Sequence, residues 1–204
     1  MKSLHRLLLL CGLLFFLPGR IHAEDIVLGM SAPFSGSSAE LGIDLYRGSM
    51  AYFTNVNETG GIHDRTVALK AYDDQYDPDR AIENTITLVE RDNVLLLFND
   101  VGTPTVTRIL PLLRHYREKS VLLFFPYTGA QPHREPPYNA FVINLRASYR
   151  QETEGLVNHF VQLGRKRIAI FYQADAYGRS GWAGVKLARP ARTPGVETVH
   201  TITR

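Results

Sequence analysis

Cysteine and surplus charge are both scarce in the part of this sequence that we expect to fold. The 204 residues contain one cysteine, Cys11, within a stretch that we expect to be removed. The remaining chain can therefore form neither a disulfide nor a cysteine-ligated metal site. The formal charge of +3 comes from three basic residues that precede residue 24, Lys2, Arg6 and Arg20. Their removal leaves 20 basic and 20 acidic side chains, so the composition gives no support to nucleic-acid binding.

The amino terminus has the layout of a secretory signal peptide. A positively charged start precedes an apolar run from Leu7 to Leu17, and the small residue Ala23 follows a Pro-Gly break. The run is too short to span a bilayer, which needs roughly twenty residues. We expect residues 1–23 to be cleaved and the chain to be exported. Cys11 follows a leucine instead of a small residue, which disfavours a lipoprotein.

Sequence signatures of catalysis are also missing. There is no G-x-S-x-G elbow, no G-x-G-x-x-G turn and no phosphate-binding glycine-lysine pair. The histidines beyond residue 23 have no partner at metal-ligand spacing. Asp73 and Asp74 are compatible with a phosphate acceptor or a magnesium site, but turn-forming and capping carboxylates are the better interpretation. We therefore expect no enzyme, no metal and no cofactor, and rank a secreted α/β enzyme last among the alternatives.

Short apolar runs alternate with helical patterns along the chain. Uninterrupted runs of this kind are typical of parallel strands that are covered on both faces. Repeated strand and helix units with right-handed crossovers predict an α/β fold, a doubly wound parallel sheet with flanking helices, followed by the beginning of a second similar unit. The predicted strands are Ile26–Met30, Thr66–Tyr72, Val94–Phe98, Val121–Phe125, Phe141–Asn144 and Ile168–Tyr172.

Capping residues predict where helices begin. Asp77 is the expected N-cap of a helix whose first residue is Pro78, because proline lacks only an N–H that has no helical partner there. Thr103 is the expected cap of a helix that starts at Pro104. Tyr177 falls in a predicted loop over 173–181, before a short helix.

Apolar spacing predicts which helix faces are buried. The first helix should pack on the sheet through one stripe, Leu41, Leu45, Gly48 and Tyr52. A later helix should do so through Leu156, Val157, Phe160 and Leu163. The segment 131–138 holds three prolines and little apolar content, so we expect it at the surface.

Three predicted strands end in small, polar turns that lead towards helices. These turns are Ser35–Ser38, Val101–Thr103 and Tyr127–Gly129. In open α/β sheets, ligands bind beyond the carboxyl ends of the strands. Helix starts offer unpaired N–H groups and a positive dipole end, which suit a carboxylate. The sequence therefore predicts a small-ligand site on this edge, although each turn taken alone is equally well explained by capping.

The order of these motifs resembles that of periplasmic binding proteins of the leucine/isoleucine/valine type. The resemblance rests on FSGSSAELG after the first strand, a long helix that ends at GGI, and a strand that closes on YDDQYDP. DVGTP, PYTGA and AYGRSG follow in the expected order. It covers the chain from residue 24 to about Leu187.

The resemblance implies that two α/β lobes close over a ligand. Ser35 and Leu41 belong to the first ligand loop, with Leu41 where an aromatic residue is common. DVGTP (Val101, Gly102, Thr103) resembles the loop that holds the ligand carboxylate, and PYTGA (Tyr127, Thr128, Gly129) the loop that takes both charged ends of the ligand. Tyr177 resembles the tyrosine of the second lobe. Val101 stands where a serine is usual, so Thr103 or Thr128 would supply the hydroxyl.

The implied function is that of an exported substrate-binding protein of an ABC importer. Its ligand would be an amino acid, a branched-chain amino acid, an amide or a urea-like solute, and its partners the permease subunits in the inner membrane. We expect a monomer. The alternative is a ligand-sensing module of the same fold that acts in signal transduction.

The resemblance also implies a division of the chain. Residues 24–144 would form the first lobe, and residues 145–204 the crossover and an incomplete second lobe. Members of the family run to roughly twice this mature length, so the sequence looks truncated. The acidic group that usually meets the ligand ammonium would lie in the missing part, and we expect this chain to bind weakly or not at all.

Overall fold

The computed structural model describes residues 24–165, 167–188 and 197–203, the last of these as backbone. The predicted signal peptide lies outside these residues. Seven strands lie within the described residues: β1 Ile26–Ala32, β2 Val67–Asp73, β3 Leu96–Phe98, β4 Leu123–Phe124, β5 Val142–Ile143, β6 Arg167–Gln173 and β7 Glu197–Thr203. Five α-helices connect them: α1 Ala39–Glu58, α2 Pro78–Ile86, α3 Thr103–His115, α4 Tyr149–Gln162 and α5 Ala176–Ala188. A π-turn, Thr87–Arg91, continues α2, and a 3-10 turn, Tyr116–Lys119, continues α3.

The strands form two parallel sheets. The first has the order β2-β1-β3-β4-β5, and the second pairs β6 with β7. The order 2-1-3-4-5 is that of a doubly wound sheet, so the α/β prediction is confirmed. Each of the six predicted strands overlaps an observed one, although β3 and β4 each begin two residues later than predicted.

Helices cover both faces of the first sheet. Leu28 packs in one core cluster with Phe53 of α1. Its neighbour Val27 packs against another cluster, which contains Ala81 of α2 and Ile109 of α3. Successive residues of a strand point to opposite faces, so α1 lies on one side of the sheet, and α2 and α3 on the other.

The predicted buried stripe of α1 is wrong at Leu41, Gly48 and Tyr52, whereas Leu45 is partly buried and packs against a core cluster. Tyr52 is 66% exposed and Leu41 is 45% exposed, whereas Gly42 and Phe53 are buried. A Cβ atom on Gly42 would collide with the carbonyl oxygen of Pro33. The helix therefore approaches the β1 loop through its glycine, and this contact sets the face that Phe53 shares.

The predicted stripe of α4 is also wrong. Only Val157 is buried; Leu156 is 56%, Phe160 41% and Leu163 61% exposed. Among the described residues, α4 packs mainly along α5. That helix needs small residues for the contact: a Cβ atom on Gly184 would collide with the Thr153 hydroxyl.

Helix starts were predicted with mixed success. Asp77 caps α2, and its side chain accepts hydrogen bonds from the N–H groups of Asp79 and Arg80. Thr103, in contrast, is the first residue of α3, and Gly102 is the cap. Tyr177 lies in the first turn of α5 instead of in a loop, because Asp175 accepts the Gly178 N–H and begins the helix there.

The segment 131–138 was predicted to lie at the surface, but it does so only in part. Half of its residues are exposed and three are partly buried, but His133 is fully buried. Burial lowers the pKa of His133 to about 4, and the neighbouring Arg134 acts in the same direction. The imidazole is therefore neutral at physiological pH.

Candidate ligand site

Two of the predicted loops lie side by side at the carboxyl edge of the first sheet. Val101 and Tyr127 form an isolated parallel bridge beyond β3 and β4. The N–H of Val101 donates to the Ser31 carbonyl oxygen at 3.2 Å, which ties the β3 loop to the end of β1. The strand order reverses between β1 and β3, which is the position where doubly wound sheets place their ligands.

The centre of this region is a cluster of three buried hydroxyl groups, which we call the hydroxyl cluster. The Thr103 and Thr128 hydroxyl oxygens are 2.7 Å apart, and the Tyr149 hydroxyl lies 3.3 Å from that of Thr103. All three residues are at most 8% exposed. Thr128 also accepts the Ala130 N–H at 3.2 Å. The hydroxyl groups thus satisfy one another inside the protein.

Gly129 allows Tyr149 to reach this position. A Cβ atom on Gly129 would lie 2.7 Å from Cδ1 of the Tyr149 ring. The Tyr149 N–H donates to the Gly129 carbonyl oxygen at 2.7 Å. Any larger residue at position 129 would displace the Tyr149 ring. The absence of a side chain on Gly129 therefore allows Tyr149 to reach the hydroxyl cluster.

Tyr177, from α5, lies beside the hydroxyl cluster, where its ring packs against that of Tyr149. Its ring centroid lies 5.4 Å from that of Tyr149, in an edge-to-face arrangement. The Tyr177 side chain is 47% exposed. It therefore presents an accessible aromatic surface beside the buried hydroxyl groups.

The first predicted loop is held by an aspartate at the end of β2. The Ser35 hydroxyl donates to Asp73 Oδ2 at 2.6 Å, and the Phe34 N–H donates to Oδ1 at 2.8 Å. Burial alone would raise the pKa of Asp73, but these hydrogen bonds together hold it below its usual value. The Ser35 hydroxyl is thus engaged in shaping the loop.

Leu41 and Tyr127 line an open pocket of about 480 Å³ next to this loop. Its other lining residues come from the turn before α1 and from the first turns of that helix, Ser37, Ser38, Glu40, Asp44 and Leu45. Val101 is different, because its side chain is 1% exposed and packs in the core with Met30 and Ala32. Only the backbone of Val101 reaches the carboxyl edge of the sheet.

Sequence reasoning missed Tyr149, which belongs to the hydroxyl cluster, and it missed two neighbours: Arg146, which lies over the Tyr149 ring, and Tyr76, whose ring lies against Gly102. The Arg146 guanidinium carbon lies 5.1 Å from the Tyr127 ring centroid and 5.2 Å from that of Tyr149. Arg146 also forms an ion pair with Glu152 at 2.5 Å. Short polar stretches such as RASYR carry no motif, and only the fold brings them to this edge.

A network of carboxylates lies beneath the loops. Ser31 donates through its N–H to Asp100 Oδ1 at 3.0 Å and through its hydroxyl to Asp74 Oδ2 at 2.9 Å. Burial raises the pKa of Asp74 to about 6 and that of Asp100 well above its ordinary value. Among the described residues, no group of three or more His, Cys, Asp or Glu side chains could hold a metal ion. Asp73 and Asp74 have the turn-forming role that the sequence favours.

The fold and the loops together define a class of protein: a parallel α/β protein whose polar loops meet at the topological switch point of its sheet. A family model described as periplasmic binding protein matches residues 25–203. The chain belongs to this family and is of its type I, leucine/isoleucine/valine-binding-protein-like branch, as the resemblance implied. The named relatives are described as binding proteins, which fits the expectation that the chain is not an enzyme.

Individual relatives agree with this assignment. An "amino acid binding protein" of Pseudomonas aeruginosa is 25% identical over 76% of this chain and 41% of its own length. "Leu/Ile/Val-binding protein homolog 2" of Brucella abortus is 28% identical over 87% of this chain and 46% of its own. The structure of a possible leucine/isoleucine/valine-binding protein from Rhodopirellula baltica matches with a TM-score of 0.80 and 32% identity, over 92% of this chain and 50% of that one.

The chain spans about half the length of the relatives that it matches. A more distant structure, a solute-binding protein of R. palustris in complex with benzoate, shares the fold at 20% identity and a TM-score of 0.74. None of the helices in the described part of the chain has the length and apolar character needed to cross a membrane.

Proposed function

We propose that this chain is an exported substrate-binding protein of an ABC importer and that it binds a small polar solute at the hydroxyl cluster. The observation that carries the proposal is the meeting of Thr103, Thr128 and Tyr149 at the switch point, with Tyr177 beside them. The names of the relatives support amino acids as one class of solute. Amides and urea-like solutes present similar polar groups.

In this proposal, residues 24–144 form one lobe, and the chain from residue 145 onwards forms the crossover and part of a second lobe. The solute lies between them, close to Leu41 and Tyr127 on one side and to Tyr177 on the other. It takes over hydrogen bonds that Thr103 and Thr128 now make with each other. The partners are permease subunits in the inner membrane, and the protein acts as a periplasmic monomer.

Ligand-observed saturation-transfer NMR tests the binding function, because it detects solutes with millimolar affinity. The purified chain is mixed with a panel of amino acids, amides and urea. We expect selective transfer to one class of solute and its loss in Tyr177→Ala. Tyr52→Ala is the matched control, since Tyr52 is an exposed tyrosine of α1 outside the site. Absence of transfer to every solute, or equal loss in both variants, would contradict the proposal.

A further inference from the structure

Arg146 interacts with two tyrosine rings of the candidate site that come from different segments. Its guanidinium carbon lies 5.1 Å from the ring centroid of Tyr127, on the loop after β4, and 5.2 Å from that of Tyr149, at the start of α4. At such distances a cation is attracted to the negative face of an aromatic ring. One side chain therefore connects Tyr127 of the open pocket with Tyr149 of the hydroxyl cluster.

The backbone of Tyr127 is fixed, but its side chain reaches solvent. The Tyr127 N–H donates to the Asp100 carbonyl oxygen at 2.8 Å, next to the bridge with Val101. The side chain is 41% exposed and lines the pocket beside Leu41. An exposed side chain keeps rotamer freedom that folding has not removed. The guanidinium of Arg146 over the ring restricts this freedom.

Arg146 is itself held at both its side chain and its backbone. Its Nη2 atom forms an ion pair with Glu152 Oε1 at 2.5 Å, in the first turn of α4. Its carbonyl oxygen accepts a hydrogen bond from Arg134 Nη2 at 2.9 Å. The guanidinium group is planar and permanently charged, so it suits stacking on aromatic faces. An arginine that is fixed in this way can hold the rings that lie against it.

We propose that Arg146 is a positioning residue of the solute site. It holds Tyr127 and Tyr149 so that the open pocket beside α1 and the hydroxyl cluster form one binding surface. The proposal rests on the proposed function and assigns a role in it to a residue that need not touch the solute. Without the guanidinium, the Tyr127 ring gains rotamers that turn it away from the pocket, and the solute loses part of its contact.

Tyrosine ring signals test the positioning role without any solute. The full chain carries ¹³C-labelled tyrosine rings, and NMR signals are assigned with Tyr127→Phe and Tyr149→Phe. We expect Arg146→Gln to shift the signals of both rings. Arg150→Gln is the matched control, because Arg150 is a nearby arginine that forms an ion pair with Glu135 at 3.2 Å, and it should leave the Tyr127 signal in place. A Tyr127 signal that Arg146→Gln does not move would overturn the inference.

Solute affinity tests the consequence for binding. Saturation-transfer titration uses leucine and acetamide as probes of the two solute classes. Arg146→Gln should weaken binding at least about fivefold, the effect of one cation–π interaction. Arg146→Lys, which keeps the charge but not the planar group, should weaken it less. Glu152→Gln and Arg150→Gln, which each remove a partly exposed ion pair, should change it by less than about twofold.

The outcomes separate this inference from the function on which it rests. Equal weakening by Arg146→Gln and Arg150→Gln would overturn the positioning role and leave the proposed function intact. Absence of transfer to both probes and to every solute of the panel would overturn the proposed function, and with it the role of Arg146 in binding, even where the ring signals move.

Discussion

Asp74 makes the stability of this protein depend on pH in an unusual direction. Its pKa is about 6 in the folded protein, mainly because of burial, against an ordinary value of 3.8. The folded state therefore holds a proton that the unfolded state has lost between these values. The corresponding stability is complete below about pH 4 and is lost as pH rises through about 6.

Asp74→Asn should remove this dependence, because the amide cannot titrate. The free energy of unfolding of the wild type, minus that of the variant, should fall by at most about 3 kcal/mol between about pH 4 and pH 7. Urea unfolding over this range measures it. The comparison with the variant cancels His133, whose pKa is lowered to about 4 and which loses stability as pH falls. A difference between the wild type and Asp74→Asn that does not change with pH would contradict the prediction.

Gly102 should tolerate alanine much less well than Gly36 does. Both glycines have positive φ, 110° and 81°, but a Cβ atom on Gly36 would meet nothing within 4 Å. The conformational cost of a side chain at positive φ therefore applies to both positions, and only Gly102→Ala also places a Cβ atom against the Thr105 hydroxyl and the Tyr76 ring. We expect it to destabilise the fold by about 1–3 kcal/mol more than Gly36→Ala does. Equal midpoints in urea would show that the ring moves freely.

At the scale of the elements, α4 and α1 each have a serine at the N-cap position, but only one of the two serines caps its helix through its side chain. Ser148 caps α4 with a complete capping box, in which its hydroxyl accepts the Gln151 N–H and the Gln151 side chain accepts the Ser148 N–H. Ser38 precedes α1 without any side-chain capping bond. The serine side chain therefore stabilises the start of α4 and makes no capping hydrogen bond at the start of α1.

Ser148→Ala should accordingly destabilise the protein by about 1 kcal/mol, the usual loss for an N-cap. Ser38→Ala should stay within about 0.5 kcal/mol of the wild type. Thermal unfolding of the two variants side by side measures the difference. A larger effect at Ser38 would show that α1 depends on this loop more than on its packed face.

At the scale of the whole molecule, the predicted cleavage after Ala23 would change the net charge of the chain. The complete sequence has an isoelectric point near 9.0. Removal of residues 1–23 leaves equal numbers of acidic and basic side chains, which predicts an isoelectric point of about 7. Isoelectric focusing and intact mass of the periplasmic fraction check both values together. A periplasmic product that retains the basic value would contradict cleavage after Ala23.

Local patterns were sufficient for the elements and the family. Uninterrupted apolar runs such as Ile26–Met30 can be recognised as strands, because a buried parallel strand needs apolar residues on both faces. Asp77 and Pro78 marked the start of α2 because a cap acts over three residues of the same chain. The quoted motifs identified the family, since they occur in a fixed order along the sequence.

Contacts between segments that are distant in the sequence determined which side chains of the helices are buried, which the local patterns did not predict. Tyr52 and Phe53 are both aromatic and adjacent, and only the approach of Gly42 to Pro33 determines that Phe53 is the buried one. Phe160 has the spacing of a core residue, yet it is 41% exposed, because its helix packs against α5 on another face. Spacing alone cannot specify the angle at which a helix meets its neighbours.

The sequence by itself therefore determined the parallel α/β fold, the family and the loops at which a ligand is expected. The tertiary structure decided which side chains meet there. Thr103 bonds to Thr128 instead of capping its helix, and Tyr149 enters the site from a segment without a motif. The physical reason is range: capping and periodicity act within a few residues, whereas a binding site is made by residues that only folding brings together.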